Sequence, residues 1–108
     1  MALFEYRVYE ATPGKLPALH RRFQAMTLGY FAKHGIGVVG FWDIVSGTTN
    51  ELHYILRYSD LAHREQAWNA FQSDPDWQRD RAETERDGPL VMRVRNQFWR
   101  PTEYSPLQ

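Results

Sequence analysis

The sequence predicts an α+β fold built as β-α-β-β-α-β, with an extra helical segment before the last strand. Three observations carry that expectation. Phe41 to Tyr58 holds two strand-like runs on either side of the turn-forming Ser46-Gly47-Thr48-Thr49-Asn50. Ahead of it, an alternating run is followed by apolar residues at helical spacing. Behind it, helical spacing comes first and an alternating run closes the pattern. That order is the plan of a ferredoxin-like sandwich.

Leu3 to Glu10 alternates, with Phe4, Tyr6 and Val8 on one face and Leu3, Glu5, Arg7 and Tyr9 on the other, the period of a strand. Ala11-Thr12-Pro13-Gly14 ends it in a turn. From Lys15, the residues Leu16, Leu19, Phe23, Met26 and Tyr30 recur at intervals of three and four, while Arg21, Arg22 and Gln24 fall off the stripe, which predicts an amphipathic helix of about five turns. His34-Gly35 closes it, because glycine readily takes the left-handed conformation of a helix end. Val38 to Val45 and Glu51 to Tyr58 form an antiparallel hairpin across their short polar loop. Ser59-Asp60 caps a helix with Leu61, Trp68 and Phe71 on its apolar side. Asp74-Pro75 repeats the device for a charged helix that runs towards Arg86 and stops at Asp87-Gly88-Pro89. Leu90 to Trp99 is the last strand. Residues 1–100 therefore make one domain and 101–108 an irregular tail.

Composition narrows the function classes. The 108 residues carry thirteen basic and thirteen acidic side chains, so the basic surplus of a nucleic-acid binder is missing. There is no cysteine, which excludes disulfides and thiolate chemistry. No run approaches the roughly 20 apolar residues of a membrane span, and the expected location is cytoplasmic. Aromatics reach 15%, four Trp among them, enough to furnish a cavity or an interface with flat side chains.

Sorting the strands by parity predicts two unlike faces. Phe4, Tyr6, Val8, Val39, Phe41, Val45, Leu52, Tyr54, Leu56, Met92, Val94 and Phe98 match the helix stripes and make the core. Glu5, Arg7, Tyr9, Trp42, Ile44, His53, Ile55, Arg57, Arg93, Arg95, Gln97 and Trp99 fall on the side the helices leave bare. An aromatic patch there needs a cover, and a second copy packed sheet to sheet supplies one.

The residues also resemble a family. Glu5-Tyr6-Arg7-Val8-Tyr9 followed by Pro13-Gly14-Lys15, then Gly40-Phe41-Trp42, Gly47, Asn50-Glu51-Leu52, Arg57-Tyr58, Arg64, Trp68, Phe71 and Asp74-Pro75-Asp76-Trp77 are similar to the NIPSNAP family in order and spacing. The resemblance implies a dimeric α/β barrel, two ferredoxin-like chains joined through their sheets. Of activity it implies little: eukaryotic members are tied to mitochondria and vesicle traffic, and barrels of similar build include cofactor-independent monooxygenases, isomerases and haem-degrading enzymes.

The candidate site is the cluster of charged and aromatic residues expected on the bare face. Glu5 and His53 are candidate proton carriers, since an enclosed carboxylate or imidazole has its pKa moved towards neutrality. Arg7 and Arg57 are candidate clamps for a carboxylate or enolate oxygen. Tyr9 and Trp42 are candidate pocket walls. The bland alternative is a network that only satisfies charges buried by dimerisation, with Trp42 as an interface anchor. The four histidines lack metal-site spacing, so neither metal nor cofactor is expected. The expected protein binds a small aromatic or anionic molecule, with cofactor-free monooxygenase- or isomerase-like chemistry as one option. The alternative is a non-catalytic dimeric scaffold, and the residues leave open whether the protein is an enzyme.

Overall fold

The computed structural model describes residues 2–108. Its elements are β1 Leu3–Ala11, α1 Leu16–Arg22, a π-helical turn Phe23–Thr27, α2 Leu28–Lys33, β2 Gly37–Asp43, β3 Glu51–Tyr58, α3 Leu61–Gln72, α4 Pro75–Thr84 and β4 Val91–Trp99. The four strands form one antiparallel sheet in the order β2-β3-β1-β4. This is the ferredoxin-like arrangement, with α4 as the additional helix. The Cα atoms span only 19 Å along the shortest axis. That thickness suits one helix layer on one sheet at a spacing of about 10 Å and leaves no second layer on the other face, where residues of the segment 101–107 line a pocket with Phe4, Ile55 and Trp99.

The expected long helix is present but not regular. Buried Leu19, Phe23, Thr27 and Phe31 recur at every fourth position. At about 100° per residue, the twelve-residue step from Leu19 to Phe31 turns through about 1200°, which would leave Phe31 about 120° away from the core. The π turn, where the N–H of Leu28 bonds the carbonyl of Phe23, accommodates one extra residue and removes about 100° of that error. Arg22, the last residue of α1 before the π turn, borders the stripe three residues after Leu19 and is buried.

Leu52, Tyr54, Leu56 and Tyr58 present β3 to the helices, where Phe23, Phe31, Trp68 and Phe71 pack on them. Phe41 of β2 stacks on Tyr54 with ring centroids 4.9 Å apart. Both predicted caps form: Asp60 accepts from the N–H of His63 at 2.7 Å and Asp74 from that of Asp76 at 2.9 Å. Asp74 also accepts from Lys33 Nζ at 2.7 Å and pairs with His34 Nε2 at 2.8 Å, tying the end of α2 to the start of α4. The Lys33 and His34 hydrogen bonds outweigh burial and hold the Asp74 carboxyl well below the usual range.

The register corrects the predicted faces of β1. Glu5 stands opposite Leu56, Arg7 opposite Tyr54 and Tyr9 opposite Leu52. Directly opposed residues of an antiparallel pair share a face. Leu3, Glu5, Arg7, Tyr9 and Ala11 therefore point to the helices, and Phe4, Tyr6 and Val8 to the bare face. No tight turn joins β1 to either neighbour, so local chemistry does not pin its register, and a one-residue slip inverts every side chain. Five further core assignments fail, those of Val94 and Phe98 because both are exposed although they share the helix-side face of β4. Val45 lies beyond the end of β2 and is 97% exposed. Val39 sits at an irregularity in the pairing of β2, and Met92 at one in β4, and both are exposed. The predicted placement of Trp42, His53, Ile55, Arg57, Arg95, Gln97 and Trp99 on the bare face agrees with the pairing.

Candidate functional site

A cavity of about 170 Å³ lies between the helices and the sheet, walled in part by Arg7, Tyr9, Arg22, Phe23, Trp77 and Glu85. Each wall follows from a feature of the fold. Arg7 and Tyr9 come from the helix-facing side of β1, Arg22 and Phe23 from the π turn and its entry, Trp77 from the first turn of α4, and Glu85 from the end of that helix.

Arg7 is held on three sides. Its Nε donates to the Tyr54 hydroxyl at 2.7 Å, its Nη1 donates to Glu5 Oε2 at 2.8 Å, and its guanidinium lies 4.3 Å from the Trp68 ring centroid. Burial opposes its charge, but the neighbouring phenols of Tyr54 and Tyr9 and the Glu5 carboxylate outweigh that and keep it protonated. Tyr54 stays a neutral phenol: burial pushes its pKa up, and Tyr9 pushes it further. Burial and the Glu5 charge raise Tyr58 likewise.

Glu5 is 0% exposed. It accepts from Arg64 Nε at 3.2 Å and Nη2 at 3.1 Å, from Asn96 Nδ2 at 2.9 Å and from Arg7. Burial raises its pKa, but the Arg64 hydrogen bonds and the Arg7 charge overcome burial and set it below the ordinary value. A general base is effective with a pKa near the working pH. A carboxylate fixed in its ionised form by four donors serves better as an anchor for Arg7.

The other wall carries unused donors. Arg22 is 6% exposed, and its Nη1 reaches Thr84 Oγ1 and Glu85 Oε1, both at 3.3 Å. Its Nε is buried with no hydrogen-bond partner among the described residues, and the same holds for Nε1 of Trp77. Of the charged residues that line the cavity, Arg7, Arg22 and Arg81 are cationic and Glu85 alone is anionic. The cavity is thus a small donor-rich space with surplus positive charge.

The predicted six-residue site is divided by the sheet. Arg7 and Tyr9 line the cavity and Glu5 stands behind Arg7. His53, Arg57 and Trp42 are on the opposite face. There, the His53 ring bridges the Tyr6 hydroxyl at Nδ1 and Glu51 Oε1 at Nε2, and Glu51 Oε2 meets Arg95 at 3.3 Å. Trp42 is 51% exposed and Trp99 41%. Sequence reasoning missed Arg22, Trp77, Arg64 and Asn96. The place of Arg22 three residues after Leu19 was the available sign that it borders the buried side of the helix. Among the described residues no three His, Asp or Glu side chains form a metal-binding group, and no helix is long and apolar enough to cross a membrane.

Comparison with known proteins places these features in a lineage. The NIPSNAP family model matches residues 4–106. A NIPSNAP domain protein from Burkholderia xenovorans is 28% identical, with 96% of this chain and 98% of that one covered and a TM-score of 0.83. A NIPSNAP family protein from Agrobacterium tumefaciens is 19% identical, with full coverage of both chains and a TM-score of 0.89. The fold extends to a putative antibiotic biosynthesis monooxygenase from Chloroflexus aurantiacus, 16% identical over 94% of each chain at a TM-score of 0.59. No curated protein matches.

Proposed function

The chain belongs to the NIPSNAP family, and on that premise we propose that it is a homodimer whose helix–sheet cavity binds a small, single-ring organic anion. The observation that carries this reading is the pair of buried, unpartnered N–H donors, Arg22 Nε and Trp77 Nε1, in two residues that line a cavity with excess positive charge. A buried donor without an acceptor costs about 1–3 kcal/mol, and a ligand carboxylate or phenolate oxygen relieves that cost. A scaffold without a ligand would be expected to have a packed and satisfied interior. Size sets the other limit. A cavity of about 150 Å³ admits benzene, so about 170 Å³ suits one ring with a short acidic group.

In this reading Arg7 and Tyr9 orient the ligand, Arg22 and Trp77 donate to its anionic oxygens, and Glu5 positions Arg7. Any turnover is of the kind that fixed cationic donors promote, by stabilising negative charge on an enolate or phenolate oxygen. His53, Arg57 and Trp42 belong instead to the dimer. A second copy laid sheet to sheet over Trp42 and Trp99 removes their exposed apolar surface from water.

Titration of ¹⁵N-labelled protein with benzoate tests the ligand half. The Trp77 indole N–H resonance, identified with Trp77→Phe, should shift saturably, and Arg7→Met combined with Arg22→Met should weaken the effect at least tenfold. No shift with millimolar benzoate, salicylate or phenol would overturn the reading. Sedimentation tests the dimer, which a stable single chain at micromolar concentration would exclude.

A further inference from the structure

We propose that Glu85 is an internal competitor in the cavity, a carboxylate that occupies Arg22 until the ligand's own anionic group displaces it. The inference rests on the ligand-binding reading above and adds the device that sets how tightly an anion must bind.

Glu85 is placed for exchange rather than for permanent pairing. Its Oε1 is shared between Arg22 Nη1 at 3.3 Å and Arg81 Nε at 3.2 Å, so neither guanidinium holds it in a two-bonded fork. Arg22 is deeply buried and keeps Nε unused, whereas Arg81 is half exposed on the outer side. Glu85, Gln72, Trp77 and Arg81 also line an adjoining depression on the surface, which puts Glu85 where the interior meets solvent. The chain around it is suited to adjustment. Glu85 is the residue at which α4 ends, and Gly88, with φ +110°, and Pro89 follow before β4.

The exchange conserves charge pairing at every stage. When a ligand carboxylate reaches Arg22, Glu85 retires to Arg81, its partner four residues back on the same helix. Arg22 passes from one carboxylate to another, so no buried guanidinium is left alone, and Arg81 keeps Glu85 from being stranded. A neutral ligand of the same shape has no charge with which to displace Glu85 and leaves its pair with Arg22 in place. A bulkier acid is limited by the cavity volume. The occupant is therefore a compact anion, and Glu85 sets the affinity threshold it must exceed.

The test compares benzoate with benzamide in the intact protein, read at the Trp77 indole resonance and by calorimetry. Glu85→Gln removes the competing charge and retains the side-chain volume. It should raise benzoate affinity about tenfold and leave benzamide affinity within about twofold. Arg81→Met removes the receiving guanidinium, holds Glu85 on Arg22 and should lower benzoate affinity. Opposite changes in the two variants support the exchange. Equal benzoate affinity in wild type and Glu85→Gln overturns the role of Glu85 and leaves the ligand site standing. Failure of all three proteins to bind benzoate overturns the ligand reading itself.

Discussion

Glu5→Gln is the sharpest probe of the interior, because it preserves volume and removes the one negative charge that buried Arg7 and partly buried Arg64 share. The carboxylate accepts from Arg7, twice from Arg64 and from Asn96, at 2.8–3.2 Å. Removing one partner of a buried ion pair costs about 3–5 kcal/mol, because the other charge remains buried and uncompensated. Arg64 retains Glu65 at 2.8 Å and recovers part of its loss. Arg7 retains only the neutral Tyr54 hydroxyl and aromatic rings. The expected destabilisation is therefore at the lower end, about 3 kcal/mol, a large share of the roughly 5–15 kcal/mol that keeps a domain folded. With about 4–8 °C lost per kcal/mol, the midpoint of thermal unfolding should fall by about 12–24 °C. Urea unfolding at fixed protein concentration, followed by tryptophan fluorescence, should show a midpoint lower by about 1–3 M. Glu5→Met combined with Arg7→Met strands no charge at residue 7 and should be more stable than Glu5→Met alone. A Glu5→Gln protein within about 1 kcal/mol of wild type, or a double variant no better than Glu5→Met, would refute the account of a charge network balanced by mutual neutralisation.

The other expectations concern acid, a helix cap and the bare face. Glu5 and Asp74 have folded-state pKa values depressed below their ordinary 4.5 and 3.8. Their stabilisation is complete above those values and is lost as pH falls through the folded ones, so the urea midpoint should hold steady down to about pH 5 and then decline; a midpoint that rises on acidification would contradict this. Asp74→Ala removes the α4 cap and the partner of Lys33 and His34, and should cost about 1–2 kcal/mol with faster amide exchange in the first turn of α4. Unchanged protection there would show that the cap is dispensable. A Cβ at Gly40 would lie 2.8 Å from the Trp42 ring. Gly40→Ala should swing that indole away and weaken the dimer about tenfold or more with the fold intact, measured by sedimentation; an unaffected dimer would take Trp42 out of the interface.

The layer order was readable because it depends on local signals. Asp60 and Asp74 cap, Gly35 and Gly88 take positive φ where their elements end, and the alternation of Leu52, Tyr54 and Leu56 sets the helix side of β3. The face of β1 was not readable in that way. Tyr6 and Val8 are apolar and Glu5 and Arg7 are charged, so a rule that sends apolar residues inward chooses wrongly when charges are buried as a neutralised group. The register that decides the matter lies in the pairing of Arg7 with Tyr54, separated by most of two elements. Arg7 and Tyr9 were identified as ligand-facing residues, but the cavity that they line is on the helix side, away from His53 and Arg57. Arg22 escaped for a related reason: three residues after Leu19 it borders the apolar stripe of α1, where a charged side chain is ordinarily assigned to solvent.

The position of β1 within the sheet also governs how the chain is made. This strand precedes the other three in chain order, yet one of its edges waits for β4, which follows all of them. Until residues 91–99 appear, the nascent protein carries an unpaired strand edge beside Glu5, whose Asn96 donor is still missing. Such long-range closure slows folding and leaves an edge open to other chains. Translation of the final segment is therefore the committing step, and a chain truncated before β4 should be a substrate for chaperones or proteases rather than a smaller working protein.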